Sequence, residues 1–398
     1  MSAGRQPSYP VTAWSAVNAL GTRTKDVMAA LRAGQTALSS APAGTPFETV
    51  CGVVAADIPR LPATLAAYDS RNNRFVQQGL GQIADALDRA RERWGPSRVG
   101  ICVGSSTAAL DEIEGAYFAH HESGELPDGF DVFARGSAAG LVHVLRALSG
   151  FEGPVSVVSN ACASSGKAFA SAQRWLTAGV VDAVLVGGAD SLCQLTLRGF
   201  RALGLLSEEP SRPFCRDRRG INIGEGAAFA LLEREGDGPR LLGAGESSDA
   251  HHMTTPDPEG WGARRAMTAA LLEAGVDIYD VGYVNAHGTG TVFNDAMEAC
   301  AIRGVLAASG SPAAMPIVVS TKGYVGHTLG AAGATEAVFV LEALENGWTP
   351  ASLGVAPVDP ELGLDVPAEP RKLDLRVALS NSFAFGGSNV CLAFGAPR

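Results

Sequence analysis

The 398-residue chain has no C-x-x-C pair, no uncharged apolar run of the roughly 18 residues that cross a bilayer, and no excess of positive charge. Each absence closes a class. With no such run, and with an opening segment, MSAGRQPSYPVTAW, that has no apolar core, membrane insertion and secretion are not expected; the expectation is a soluble cytoplasmic protein. Lys and Arg number 31 against 41 Asp and Glu, a net charge of −10. No general nucleic-acid coat is therefore expected, and an acidic partner has to meet a local positive patch. The seven cysteines are odd in number and widely spaced, which reads as reduced thiols. G-x-x-x-x-G-K-[ST], a full G-x-G-x-x-G, G-x-S-x-G and H-E-x-x-H are missing too. Nucleotide-loop, serine-hydrolase and zincin readings drop out.

What is present describes a large, compact chain. Hydrophobic residues make up 46% and charged residues 18%, far from a disordered composition. The length suits two or three domains, or one large two-part domain, burying roughly three quarters of its unfolded surface. The 48 glycines in 398 residues exceed the usual ~7% and predict tight turns and close backbone approaches. Val76, Leu80, Ile83, Leu87 and Ala90 are spaced alternately by four and three, which predicts one helical face over 75–90. RVGICVGS (98–105), VSVVS (155–159) and VDAVLVGG (181–188) read as buried strands. A helical stretch with Phe169, Ala172 and Leu176 lies between the last two, and Gly179 stands where its cap would fall. Strands separated by helices imply crossovers and a largely parallel or mixed sheet covered on both faces.

The pattern also repeats. Val157-Val158-Ser159 resembles Val318-Val319-Ser320; VGICVGSST (99–107) resembles VGYVNAHGTG (281–290). VDAVLVGGADS (181–191) is echoed by LRVALSNSFAFGG (375–387), and AAFALLE (227–233) by NVCLAFG (389–395). Four echoes in the same order point to two copies of one α/β unit, joined near 236–250. Residues 1–240 then form one half and 241–398 the other.

Candidate chemistry sits at strand–helix junctions. Cys162 lies in SNACASSGKAF, where first-turn amides and the helix dipole would favour a thiolate; the bland alternative is a buried structural thiol. His287 in VNAHGTGT and His327 in STKGYVGHTLGAAGATE sit on loops of small residues that a ligand can reach. His120, His121, His143, His251 and His252 have no such setting. Lys322 is one of only four lysines, five residues before His327. Arg71 and Arg74 sit near a helix start, where positive charge is disfavoured; docking or a solvated surface could explain them. One cysteine with two histidines leaves three chemistries open: a zinc site, for which chelating pairs at short spacing are lacking, a cysteine hydrolase, or thioester acyl transfer followed by carbon–carbon bond formation.

NACASS around Cys162, AHGTGT with His287, STKGYVGHTLGAAGATE with Lys322, His327 and Glu336, NSFAFGGSN, and RPFCRDRRGINIGEGAA (212–228) together resemble the β-ketoacyl–acyl carrier protein synthases of types I and II over nearly the whole chain. The resemblance implies an α/β, thiolase-like fold: two similar halves in a five-layered αβαβα core. It implies that Cys162 accepts an acyl chain, while His287 and His327 promote decarboxylation of malonyl–carrier protein and stabilise the enolate. Lys322 and Glu336 would form a supporting ion pair. The amides of Cys162 and Phe385 would form the oxyanion hole, with Phe385 also gating the acyl pocket. Thr289, Thr291 and Phe383 would contact pantetheine or substrate, Asp295 would close their loop, and Arg71 and Arg74 would receive the carrier protein. No metal or resident cofactor is implied, since phosphopantetheine arrives on the acyl carrier protein. The partner subunit would be a second copy or a chain-length-factor-like chain.

Asn294, Cys215, Arg219, Ala384 and Lys167 depart from the family pattern and weigh against housekeeping fatty-acid synthesis. NALGTRT, HHESGELPDGF and GGADSLCQLTLRGF are similar to ketosynthases of bacterial aryl-polyene clusters. Two alternatives stay in view: an acyl-thioester hydrolase using Cys162, and a non-catalytic chain-length-factor-like subunit, against which Cys162 itself argues.

Overall fold

The computed structural model describes residues 7–309 and 315–397; the first six residues of the opening segment lie outside them. Ten strands build one mixed sheet: β1 (Tyr9–Asn18), β2 (Val99–Gly104), β3 (Val155–Val158), β4 (Ala183–Asp190), β5 (Gly226–Glu233), β6 (Arg240–Ser248), β7 (Val281–Asn285), β8 (Ile317–Val319), β9 (Val377–Ala384) and β10 (Ser388–Gly395). The helices that matter here are α1 (Arg71–Gln82), α2 (Ala84–Trp94), α3 (Leu110–Ser123), α4 (Ala138–Ser149), α5 (Ser164–Thr177), α6 (Gln194–Ala202), α7 (Trp261–Ala274), α8 (Val292–Ala308) and α9 (Ala332–Asn346).

The strand order is β8-β7-β9-β10-β6-β1-β5-β4-β2-β3. It reads alike from either end. In each half the outer three strands are parallel, and the next two run antiparallel. Among the described residues, the two half-sheets are joined in strand pairing through Tyr9 opposite Leu241 and Pro10 opposite Arg240. Each of the four sequence echoes falls on a pair of equivalent strands: β2 with β7, β3 with β8, β4 with β9, β5 with β10.

Layering follows from burial. The runs VGICVG of β2 and AVLVGGAD of β4 are buried at every position, as strands covered on both faces must be. Between the two half-sheets lie α5 and α9, packed against each other and against strands of both halves. From Ala332 to Leu341 every residue of α9 is buried, so this stretch has no solvent face and only the last turn reaches water. The outer face of the first half is covered by α1, α2 and α4, and that of the second by α7 and α8. The result is five layers, αβαβα. Among the described residues no helix is long and apolar enough to cross a membrane.

Local signals hold with one correction. After α5, Gly179 adopts φ 69° while its N–H donates to Leu176 and that of Val180 to Trp175, the two bonds of a Schellman cap. The single helix expected over 75–90 is two. Ile83 leaves helical geometry (φ −116°, ψ 17°), separating α1 from α2. Val76, Leu80, Ile83, Leu87 and Ala90 nevertheless all stay buried, because a tight turn, Leu80 C=O accepting from Ile83 N–H, preserves their common face.

Close backbone approach appears where β2 meets α5: a Cβ on Gly104 would stand 2.2 Å from the Ser165 nitrogen. Gly104→Ala is therefore expected to destabilise the fold by about 1–3 kcal/mol, read as a lower urea midpoint. An unchanged midpoint would show that α5 is not seated this tightly.

Candidate active site

Cys162 sits in the turn between β3 and α5. The preceding residue, Ala161, is held at φ 44°. Two bonds brace this turn: Ala163 N–H donates to Asn160, and the Ser164 hydroxyl donates to the Ala161 carbonyl at 2.6 Å. His327 arrives from the equivalent junction of the other half, between β8 and α9. It is fixed by backbone, its N–H donating to Asn222 at 2.8 Å and its carbonyl accepting from Gly224 at 2.9 Å. That is the structural use of the segment RPFCRDRRGINIGEGAA. His287 follows β7, and Glu298 of α8 shapes its loop by accepting from the His287 and Gly288 N–H groups at 2.9 and 2.8 Å.

These junctions converge. His327 Nε2 lies 2.8 Å from Cys162 Sγ, and the ligand-capable atoms of Cys162, His287 and His327 all lie within 4.8 Å of one another. The imidazoles meet edge to face, centroids 5.4 Å apart. Behind them the buried Lys322 ammonium donates to the Glu336 carboxylate and to the His287 carbonyl. The three donors are spaced closely enough to suggest a metal, yet the residues do not fit one. Tetrahedral zinc would hold sulfur and nitrogen about 3.5 Å apart given its bond lengths, and the Lys322 cation opposes a second positive charge.

Electrostatics correct one expectation. The position before α5 was expected to favour a thiolate, but burial pushes the Cys162 thiol up to about 12, outweighing the Lys322 charge and the thiol's own backbone N–H. Burial, with help from Lys322, holds both imidazoles well below the usual histidine range; for His287 the neighbouring His327 adds to this. At rest the site is a neutral thiol hydrogen-bonded to a neutral imidazole. Glu298 is pushed up to about 7 by burial, against the pull of the N–H groups it accepts from.

Cys162, His287 and His327 line one cleft. Thr289, Thr291, Phe383 and Phe385 line it as well. The two threonine hydroxyls lie 2.8 Å apart. Phe385, half-buried, stacks on Phe200 of α6 with centroids 5.5 Å apart. The backbone bonds of its turn involve Gly386, which donates to Met253, and Gly387, which donates to Ala384. Asp295 is buried below the threonine loop, accepting from Phe214 and Gly290 N–H and from the Asn294 amide.

Arg71 and Arg74 are each paired internally while staying partly exposed. Arg71 donates through two nitrogens to the buried Glu225 carboxylate and also to the Val54 carbonyl; Arg74 forms a two-point pair with Asp69 at 2.8 and 2.6 Å. The helix-start charge puzzle is answered by these internal carboxylates. Lys167 is likewise accounted for, paired with Glu246 of β6 at 2.9 Å. His252 needs a second correction. It lines the cleft, with its Nδ1 accepting from the Thr254 and Thr255 N–H groups. Glu298 was missed outright, although a lone acid within the otherwise apolar AMEACAI of α8 was a usable signal.

Fold and site define a condensing enzyme of the thiolase type. Models of the β-ketoacyl synthase N-terminal and C-terminal domains match residues 10–238 and 240–356. The chain is 34% identical over 406 aligned positions to nodulation protein E of Rhizobium meliloti (strain 1021), covering 96% of this chain and 98% of that one. It is 36% identical over 347 positions to 3-oxoacyl-[acyl-carrier-protein] synthase 2 of Vibrio harveyi, covering 80% and 81%. It superposes on the ketosynthase ApeO, solved in complex with its chain length factor ApeC from Xenorhabdus doucetiae, with a TM-score of 0.89 and 36% identity over 98% of each chain. The chain belongs to the β-ketoacyl synthase family and is an acyl-transferring condensing enzyme.

A raised thiol has a kinetic signature. Alkylation of Cys162 by iodoacetamide, followed by peptide mapping, is expected to accelerate about tenfold per pH unit from pH 7 to 9. A plateau below pH 8 would mean a thiolate at rest.

Proposed function

We propose that Cys162 takes an acyl group from a carrier-protein or coenzyme A thioester and that the acyl-enzyme condenses with malonyl–carrier protein, elongating a fatty-acid, aryl-polyene or polyketide chain. The observation that carries this reading is the 2.8 Å contact of His327 Nε2 with Cys162 Sγ, with His287 beside it. The nucleophile belongs to the half spanning 1–240 and both imidazoles to 241–398.

In the first step the Cys162 proton passes to His327 and on to the departing pantetheine thiolate as sulfur attacks the thioester. A histidine held neutral can accept that proton. Acylation removes the sulfhydryl proton; His327, having passed that proton on, regains a site-facing Nε2–H when the neutral ring exchanges its Nδ1 proton for one at Nε2, and it then faces the second substrate beside His287. Malonyl–carrier protein then loses CO2. The electron pair of the broken bond becomes an enolate whose oxygen accepts from the two neutral imidazoles. The enolate carbon attacks the acyl-Cys162 carbonyl, the oxyanion accepts from the Cys162 and Phe385 amides, and Cys162 leaves as thiolate to be reprotonated. Lys322 and Glu336 hold the His287 loop through its carbonyl. Thr289 and Thr291 would bond the pantetheine amides, while Phe383 and Phe385 supply apolar wall and gate.

Phosphopantetheine comes with the carrier, so no resident cofactor is needed. An acidic carrier protein needs cations outside the core, and α6, whose Phe200 lines the cleft, exposes Arg198 and Arg201. The ApeO–ApeC complex pairs a ketosynthase with a chain length factor, and we assign this chain the catalytic place in such a pair or in a homodimer. Its free thiols suit a reducing cytoplasm. Hydrolysis is the weaker reading. A cysteine hydrolase orients its histidine through the second ring nitrogen, and among the described residues neither His287 Nδ1 nor His327 Nδ1 has a partner.

Intact mass spectrometry with acyl–carrier and malonyl–carrier protein tests the scheme. The expected result is an acyl adduct that is absent from Cys162→Ala, followed by a β-ketoacyl–carrier product; free acid in its place would establish the hydrolase. His327→Ala is expected to slow malonyl decarboxylation about 10²-fold, the loss typical of one transition-state donor, and near-normal turnover would remove its role. Arg198→Glu with Arg201→Glu is expected to raise KM for the carrier-bound substrate and to spare small pantetheine thioesters. Equal loss on both would place docking elsewhere.

A further inference from the structure

Five residues other than glycine hold a positive φ among the described residues, and three of them gather beside the site: Ala108 at 46°, Ala161 at 44° and Leu329 at 53°. Ala161 immediately precedes Cys162, Leu329 follows His327 by two positions, and Ala108 closes the turn after β2. Residues with a Cβ keep this conformation only where their surroundings hold them in it. One side chain bonds two of these segments directly and reaches the third through Ser106. Asp190, at the end of β4, is fully buried. Its Oδ1 accepts from the N–H groups of Ser106, Thr107 and Ala108 at 2.9, 2.7 and 3.2 Å and from the hydroxyls of Ser105 and Thr107 at 2.7 and 2.8 Å. Its Oδ2 accepts from Ser106 N–H at 3.1 Å and from Ala331 N–H, at the start of α9, at 3.0 Å. Ser106 carries the connection onward, its hydroxyl donating to the Ala161 carbonyl at 2.9 Å.

The turns leave no slack between them. A Cβ on Gly330 would stand 2.6 Å from Ser106 N and 2.8 Å from Asp190 Oδ2. Every group aimed at the carboxylate is a donor, so an amide at this position would turn its NH2 toward at least one N–H. Ala331 and Ala161 belong to different halves of the molecule, and Asp190 with Ser106 is the polar bridge between the turn leading to Cys162 and the turn leaving His327.

We propose that Asp190 is a positioning residue for acyl transfer: its carboxylate locks the nucleophile turn against the His327 turn and thereby sets the Sγ–Nε2 separation. This rests on the acyl-transfer reading of Cys162. Misplacement of reacting groups by about 1 Å costs on the order of 10²-fold in rate, so a loosened clamp appears in kcat and not in KM.

The test is the rate of Cys162 acylation by acyl–carrier protein, followed by intact mass, in Asp190→Asn, Asp190→Glu and Ser106→Ala. Asp190→Asn is expected to lose about 10²-fold in the acylation rate constant with KM unchanged within twofold. Asp190→Glu, which keeps the acceptor charge, should recover part of that loss. Ser106 is exposed, so Ser106→Ala is expected to fold normally and lose roughly tenfold by cutting only the Ala161 link; it decides the matter if the buried variants fail to fold. Iodoacetamide profiles supply the readout that a merely structural role would not move. The charged and titratable groups facing Cys162 are Lys322, Glu336, His287, His327 and Asp190, and the Asp190 charge raises the thiol. Asp190→Asn should therefore shift Cys162 alkylation to lower pH while acylation slows, and the buried Cys102 and Cys391 stay protected. Wild-type acylation rates in Asp190→Asn or in Ser106→Ala would overturn the proposal, as would equal exposure of all three thiols. If the native chain shows no acylation at all, the acyl-transfer reading fails; the clamp is then judged by the alkylation profile, which needs no acyl donor.

Discussion

Two helices packed back to back with almost nothing between them govern the rest of this molecule. Gly166 of α5 and Gly333 of α9 stand so close that a Cβ on Gly333 would lie 2.7 Å from the Gly166 nitrogen, and the Ala334 N–H donates to the Ser165 hydroxyl at 2.9 Å. Each helix begins where a strand of its own half ends. Bringing the helix starts together therefore brings Cys162 and His327 together across the pseudo-twofold relation. His287 joins them from β7, the strand adjacent to β8. The chemistry is thus set by packing at small residues, which is why the sequence around the site is rich in glycine, alanine and serine.

Burial also decides the charge state. A thiol and two imidazoles share an enclosed space with one ammonium, and the carboxylate that Lys322 contacts makes its burial tolerable. Lys322 disfavours protonation of the imidazoles, and exclusion of water disfavours ionisation of the thiol. The neutral state that results suits donors to a developing enolate, since charge is then created in the reaction and not in the empty site. In the proposed scheme it also gives the 2.8 Å Sγ–Nε2 contact a purpose: proton removal would be coupled to attack.

Much of this could be read in the sequence, for stated reasons. Strands β2 and β4 are continuous apolar runs, and their repetition as β7 and β9 exposed the two-part plan before any geometry. Cys162, His287 and His327 stood out because polar residues among glycines at strand ends have few other uses. What escaped depended on partners far along the chain. Arg71 looked unopposed because Glu225 is 154 residues away. The thiolate expected at Cys162 came from a local dipole argument, and sequence carries no measure of how deeply a turn will be buried. Gly79 and Gly81 stand just before the break at Ile83, yet the apolar spacing runs straight through it and masks their signal. Asp190 carried no signal in the sequence; its value lies in donors from two turns that meet it only in three dimensions.

The neutrality of the two imidazoles is the claim that most directly joins fold to chemistry. It can be measured by selective isotope labelling of histidine and NMR titration of the free enzyme, with His287→Ala and His327→Ala used to assign the signals. Both rings are expected to keep neutral-imidazole shifts from pH 8 down to pH 6, since their proton affinity lies well below the ordinary 6.5. A midpoint at or above that ordinary value for either ring would contradict the account.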